Sequence, residues 1–186
     1  MKSKIMPPVV LTVICVAVCS LLVLAHNMTY VDNTGVLTDE MKKGCEEIFG
    51  EGSYEIVTEK KDHDTVPVDF GIKQLNSVIT DKENRRCIFE LTWDGYAKGG
   101  LHLMIGINDE NKIEGLYFLS VGETPGLGAK VAQKEYYERF NGLSVSSDIE
   151  AVDNMTAATY SSKGLKEACE KALEIYTVHK GELLDE

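Results

Sequence analysis

Several residue patterns that identify common types of site are missing from this sequence of 186 residues. Its five cysteines never form a C-x-x-C pair, so their spacing supports neither an iron–sulfur cluster nor a zinc site. The four histidines are scattered along the chain and show no metal-like spacing either. We therefore predict that the protein has no metal centre.

Basic residues are also scarce. The chain has 19 Lys and Arg against 30 Asp and Glu, which gives a formal net charge of −11. Because nucleic-acid binding needs a basic footprint, this balance argues against a nucleic-acid partner. No nucleophile elbow surrounds Ser161 or Ser162, so serine hydrolysis has no support. There are no internal repeats and no low-complexity segments.

The most apolar part of the chain lies at its start. Residues 7–25 carry no charge and are long enough to cross the hydrocarbon core of a bilayer as a helix. Lys2 and Lys4 precede this run, which predicts a cytoplasmic N-terminus and an extracytoplasmic globular part. We interpret residues 1–30 as a single-pass membrane anchor. A signal peptide cleaved after Ala25 is the alternative interpretation.

The rest of the sequence predicts an α+β fold in which helices flank an antiparallel sheet. Thr38 and Gly50 are suitable caps for a first helix, and short connections between the strands imply antiparallel neighbours. An amphipathic stretch at 130–140 and a final helix at about 162–179 follow the sheet. The predicted strands are 54–58, 77–80, 86–93, 100–107 and 112–121.

Three cysteines lie in this second part of the chain, at Cys45, Cys87 and Cys169. We expect buried free thiols, and a disulfide between Cys87 and Cys169 in an oxidising compartment is the alternative. For the domain organisation, we predict a membrane-proximal helix and connecting region at 31–85 and a separate domain at 86–186.

Two short segments carry the chemistry. Residues 153–162 read D-N-M-T-A-A-T-Y-S-S, and residues 123–128 read E-T-P-G-L-G. Alone, the first is compatible with ordinary helix capping, and the second with a turn between a strand and a helix. Together they resemble the two signatures of the FMN-binding domain family, and E-T-P-G-L-G precedes the other segment along the chain, as it does in the family. Residues 153–162 resemble the first of these signatures, which is approximately D-x-x-[ST]-G-A-T-x-[ST]-S. The resemblance identifies 86–186 as the FMN-binding domain.

This resemblance implies that Thr159 carries FMN through a phosphoester to its side-chain oxygen. Thr156, Ala157 and Ala158 supply a small-residue surface that the phosphate and a flavin transferase can approach. The family has glycine at the position of Ala157, where glycine permits close backbone approach or a positive φ. The entrance of the final helix favours an anionic phosphodiester through its unpaired N–H groups and its dipole.

In the family, the second signature lies near the flavin. The resemblance therefore implies contacts from Glu123, Thr124 and Leu127, with Gly126 and Gly128 allowing tight turns and leaving backbone N–H groups uncovered. A weaker resemblance, G-Y-A followed by a glycine pair, places Tyr96 near the flavin as well. Simple packing of this tyrosine at a turn is the alternative.

The resemblance further implies an electron-carrying subunit of a membrane-bound Rnf-type complex. Such complexes couple electron transfer between ferredoxin and NAD to the transport of Na⁺ or H⁺. The chain would not be catalytic on its own, and its partners would be the other Rnf subunits, the membrane and the flavin transferase that matures it. Two alternatives remain: a stand-alone exported flavinylated carrier, and a non-redox anchored binding module with a degenerate flavin motif.

Overall fold

The structure, a computed structural model, describes residues 2–29, 35–61, 64–144 and 146–184. The chain separates into two compact units, Met1–Asn33 and Thr34–Glu186. The first unit contains helix α1, Lys2–Thr29. Within α1, the segment Val9–His26 is long and apolar enough to cross a membrane, and none of it is buried. No other helix among the described residues has this character.

The second unit is built on an antiparallel sheet with the strand order β1-β4-β5-β6-β7. Every neighbouring pair in it is antiparallel, and a separate hairpin is formed by β2 and β3. The strands are β1 (Glu55–Ile56), β2 (Thr58–Lys61), β3 (Asp64–Pro67), β4 (Leu75–Asp81), β5 (Arg86–Trp93), β6 (Leu101–Ile107) and β7 (Ile113–Val121).

The helices of this unit precede and follow the strands along the chain. α2 starts after Thr38, whose side-chain oxygen accepts a hydrogen bond from the N–H of Met41 at 3.2 Å. It ends at Gly50, where φ is 81°, so both predicted caps of this helix are confirmed. The helices are α2 (Asp39–Phe49), α3 (Lys134–Tyr137), α4 (Ser146–Ala151) and α5 (Thr159–Leu183), with 3₁₀ helices at Gly128–Ala132 and Glu138–Phe140.

Side chains that alternate along each strand give the sheet two buried faces. On β6, Leu103 and Ile105 belong to the larger core, which also contains Leu165 and Tyr176 of α5. Met104 lies on the opposite face, in a smaller core with residues of α2. The predicted α+β class, with an antiparallel sheet flanked by helices and preceded by one apolar helix, is therefore confirmed.

The structure corrects several predicted element bounds. The final helix starts at Thr159 rather than near residue 162, so the predicted attachment residue is helical. The stretch 130–140 is not one amphipathic helix but consists of short 3₁₀ and α segments. The hairpin of β2 and β3 was not predicted, because its strands are short and those residues that the structure describes are mostly exposed.

The predicted boundary between residues 85 and 86 lies within the second unit. β4 and β5 are hydrogen-bonded neighbours in one sheet, and the turn between them contains this boundary. Strand pairing, which brings β4 beside β5, places residues of the predicted connecting region in the same core as the C-terminal half.

The three cysteines of this unit, Cys45, Cys87 and Cys169, are buried and free, so Cys87 and Cys169 do not pair. Burial penalises the charged thiolate and raises the pKa of Cys45 and of Cys87 to about 12. Burial also raises the pKa of Cys169. These thiols are inert packing residues, as the sequence led us to expect.

Candidate cofactor-binding site

A cavity of about 500 Å³ lies where three segments of the second unit meet. The segments are the loop between β5 and β6, the loop after β7, and the start of α5. This volume is in the range of ordinary small-molecule sites. The residues that line the cavity are Tyr96, Glu123, Thr124, Leu127, Gly128, Ala157, Ala158, Thr159, Tyr160 and Ser161.

The loop after β7 is shaped by a tight turn over residues 124–127. The N–H of Leu127 donates to the carbonyl oxygen of Thr124 at 3.1 Å. Pro125 occupies the second position of this turn and Gly126, with φ of 76°, the third, which is the arrangement of a type II turn. The 3₁₀ helix Gly128–Ala132 follows immediately. The turn thus directs Thr124 and Leu127 toward the cavity that they line.

The start of α5 contributes the third segment. Thr159 is its first residue, and Ala158 at the N-cap supplies no side-chain hydrogen bond. The hydroxyl of Ser162 is engaged elsewhere, because it accepts a hydrogen bond from the N–H of Met155 at 3.0 Å. No acidic residue occupies the first turn. This helix end, with its positive dipole and uncapped N–H groups, is therefore favourable for a negatively charged group.

Ala157 adopts a left-handed backbone conformation, with φ of 64°. Such a φ is uncommon for a residue with a Cβ and is easily reached by glycine. The position is the one where the family signature has glycine, so the reason for that glycine is visible in this backbone. Ala157 is exposed, and its methyl group stays in solvent at the edge of the cavity.

Glu123 joins all three segments. Its side chain is only 5% exposed and accepts two hydrogen bonds. The N–H of Ala97, in the β5–β6 loop, donates to Oε1 at 3.0 Å. The hydroxyl of Ser161, in the first turn of α5, donates to Oε2 at 2.8 Å. A buried carboxylate that receives two donors is well satisfied, and here it fixes the loops against the helix.

Glycines make room for this arrangement. A Cβ at any of three positions would clash with the carboxylate of Glu123, and these positions are Gly95, Gly100 and Gly128. A fourth glycine, Gly164 on α5, lets the helix pack directly against the backbone carbonyl of Asp94. The site is thus positioned by close backbone approach, which only glycine permits.

The rim of the cavity carries exposed apolar and aromatic side chains. Tyr96 is 76% exposed, Tyr160 is 68% exposed and Leu127 is 48% exposed. The rings of Tyr96 and Tyr160 are 6.1 Å apart between centroids, with an interplanar angle of 65°. Clustered exposed side chains of this kind mark ligand-binding grooves or interaction surfaces.

The cavity wall carries negative charge and no positive charge among the described lining residues. Among the described residues that line it, Glu123 is the only charged side chain, and none is basic. A phosphate bound here would therefore depend on the N-terminal end of α5 for stabilisation rather than on Lys or Arg. Aromatic and small residues supply the remaining surface, which suits a flat ring system. The residues present fit a flavin phosphate in these respects.

Most of the predicted site residues meet at this cavity. Thr156 and Gly126 lie in the same loops but are not among its lining residues. Tyr160 and Ser161 line it without having been predicted as contacts. Ser161 had a signal in the sequence, because it occupies a Ser/Thr position of the signature at the entrance of the final helix, whereas Tyr160 had only its position beside Thr159. The predicted residues that do line it are Tyr96, Glu123, Thr124, Leu127, Gly128, Ala157, Ala158 and Thr159.

The region that holds these three segments can be compared with known families. Residues 95–174 match the FMN-binding domain family. The match begins in the β5–β6 loop, includes the turn after β7 and ends within α5. All lining residues of the cavity therefore lie inside the part of the chain that is similar to FMN-binding domains.

Relatives with this similarity are named as the G subunit of an ion-translocating oxidoreductase complex. The protein from Shewanella piezotolerans is 33% identical over 49% of this chain and 48% of its own length. The protein from Aliivibrio fischeri is 28% identical over 57% of this chain and 56% of its own length. That from Methanosarcina acetivorans is 26% identical over 93% of this chain and 94% of its own length. The chain spans about half the length of the first two relatives and almost all of the third.

Proposed function

We propose that this chain is a membrane-anchored electron carrier that holds FMN on the side-chain oxygen of Thr159, within an Rnf-type ion-translocating complex. The similarity to the FMN-binding domain family supports the cofactor. The names of the relatives support membership of an ion-translocating oxidoreductase. The observation that carries the proposal is the convergence at one cavity of the segment around Thr159 with the loop at 123–128.

Thr159 suits phosphoester attachment for two physical reasons. Its side chain is exposed at the cavity, so a flavin transferase can approach the hydroxyl. It is also the first residue of α5, where the helix dipole stabilises the anionic diester that attachment would create. A covalent link would keep the cofactor on the protein outside the cytoplasm, where lost FMN is not replaced.

Bound FMN would supply the electron transfer, and the chain would hold and orient it. In this proposal the apolar surfaces of Leu127, Tyr96 and Tyr160 cover the ring system, while the Thr124 hydroxyl provides a hydrogen bond. Ala157 and Ala158 leave space for the phosphate beside the helix. The chain then relays electrons between neighbouring subunits and has no substrate pocket of its own.

The membrane anchor fits this role. α1 would place the second unit at the membrane surface, and Lys2 and Lys4 support an orientation with the N-terminus in the cytoplasm. The FMN would then lie on the extracytoplasmic side. Electrons crossing the membrane would reach it through the membrane subunits of the complex.

Intact mass of the full chain tests the attachment. After co-expression with a flavin transferase, we expect the wild type to gain the mass of one FMN. Thr159→Ala should lose this adduct completely, and Thr159→Ser should retain it because the hydroxyl remains. Thr177→Ala is the matched control, since Thr177 is an exposed threonine farther along the same helix, and this variant should be fully modified.

Two outcomes would contradict the proposal. A wild-type chain without adduct, produced beside a second protein that does become flavinylated, would reject covalent FMN and favour an anchored binding module. An adduct that persists in Thr159→Ala would show that another residue carries the cofactor. Co-purification of membrane subunits with the native chain would separate membership of a complex from a stand-alone carrier.

A further inference from the structure

The carboxylate of Glu123 is a fixed negative charge at the wall of the cavity. The side chain is almost fully buried, and it is the only charged group among the described residues that line the cavity. Its two hydrogen-bond partners among the described residues, the N–H of Ala97 and the hydroxyl of Ser161, are neutral. Each partner contacts a different oxygen of the carboxylate.

This charge has little freedom to move away from the cavity. Two hydrogen bonds, one to each carboxylate oxygen, fix its orientation. Gly95, Gly100 and Gly128 surround it so closely that a Cβ at any of them would clash. A buried charge is screened by water and salt much less than an exposed one. Its electric field therefore acts across the cavity in the same direction at all times.

We propose that Glu123 lowers the reduction potential of the flavin bound in this cavity, an inference that rests on the proposed function. Each electron that enters the flavin adds negative charge, unless a proton enters with it. A nearby carboxylate raises the free energy of the reduced, more negative state relative to the oxidised state. The neutral donors around Glu123 do not cancel its net charge, and no basic side chain among the described lining residues opposes it.

A purely structural role for Glu123 is the competing explanation, because the side chain ties two loops to α5. The two roles can be separated with Glu123→Gln. The amide has the same shape, its oxygen can accept from Ala97, and its NH₂ can donate to the oxygen of Ser161. This variant therefore keeps the connection between the segments and removes only the charge.

The test is a spectroelectrochemical titration of the full, flavinylated chain in detergent, after intact mass has verified one FMN per chain. We expect Glu123→Gln to shift the midpoint potential to a more positive value. The expected size is roughly a tenfold change in the ratio of reduced to oxidised flavin at a fixed applied potential. The shift should persist at high ionic strength, because a buried charge is weakly screened.

Glu167→Gln is the matched control. It removes one carboxylate from an exposed position on α5, where Glu167 accepts a hydrogen bond from Trp93 Nε1 at 3.3 Å. Its potential should stay within error of the wild type at high ionic strength. Equal shifts in the two variants would overturn the inference, because the effect would then reflect net charge and not the position of Glu123.

The remaining outcomes are also decisive. If both variants carry FMN and Glu123→Gln has the wild-type potential, this inference is wrong while the proposed function stands. If the wild type carries no FMN, the proposed function fails and this inference fails with it. If Glu123→Gln does not fold, judged by circular dichroism, the potential of flavinylated Glu123→Asp is measured instead: a more positive value, caused by the charge being withdrawn toward its own backbone, supports the inference, and the wild-type value overturns it.

Discussion

Replacing Ala157 by glycine should stabilise the protein, although glycine usually does the opposite. The backbone at this position has φ of 64°, in the left-handed region. An L-residue with a Cβ is disfavoured there by roughly 1–2 kcal/mol, because the Cβ approaches the following carbonyl oxygen. Glycine has no Cβ and adopts this φ without strain. The exposed methyl group of Ala157 makes little packing contact that the substitution would remove.

The expected size follows from two opposing contributions. Relief of the left-handed strain favours the variant by roughly 1–2 kcal/mol. The greater conformational freedom of glycine in the unfolded chain opposes it by about 0.5–1 kcal/mol. With the middle of each range, about 1.5 against about 0.75 kcal/mol, the net gain is roughly 0.75 kcal/mol in the free energy of unfolding. For a unit of this size, that gain corresponds to a rise of about 1–4 °C in the unfolding midpoint.

Thermal and urea unfolding of the unflavinylated chain would measure this difference. The matched control is Ala151→Gly, an exposed alanine at the end of α4 that is not among the residues with positive φ. There the same change should destabilise by about 0.5 kcal/mol, because glycine is disfavoured in helices. If Ala157→Gly destabilises as much as Ala151→Gly, Ala157 does not adopt the left-handed conformation and our account of the family glycine is wrong.

Two further predictions concern packing and pH. Gly164→Ala should destabilise the unit by about 1–3 kcal/mol in urea unfolding, because the added methyl group clashes with the carbonyl of Asp94. A neutral or stabilising Gly164→Ala would refute the close approach of α5 to this carbonyl. The second prediction concerns Glu90, whose pKa lies below the ordinary value of 4.5. Burial alone would raise this pKa, but hydrogen bonds, first of all that from His102, outweigh the effect of burial. A carboxyl with a lowered folded pKa stabilises the fold above about pH 4.5, and this stability is lost as the pH falls through the folded pKa. Urea unfolding at a series of pH values should therefore show that the free energy of unfolding falls less steeply toward acid pH for Glu90→Gln than for wild type. The same steepness in both proteins would count against the prediction.

The regular parts of the fold could be predicted from local patterns. Alternating apolar residues marked β6, and the signals of Thr38 and Gly50 marked the ends of α2, because such patterns depend on neighbours along the chain. The hairpin of β2 and β3 escaped prediction since its strands are four residues each and carry no clear alternation. The start of α5 was placed three residues late, because Ala158, at the N-cap position, supplies no side-chain hydrogen bond.

What the sequence alone determined about this protein is its chemistry-bearing segments and their order: an apolar first helix, the loop at 123–128 and the segment around Thr159. Composition is sufficient for the apolar helix, whereas the two short segments were found through their resemblance to the signatures of the FMN-binding domain family; both signals depend on residue types along the chain and not on distant contacts. Only the tertiary structure decided that the segments share one cavity and that Glu123 connects them through Ala97 and Ser161. Such contacts join residues that are tens of positions apart, and they exist only after strand pairing and close glycine packing have brought the loops against α5.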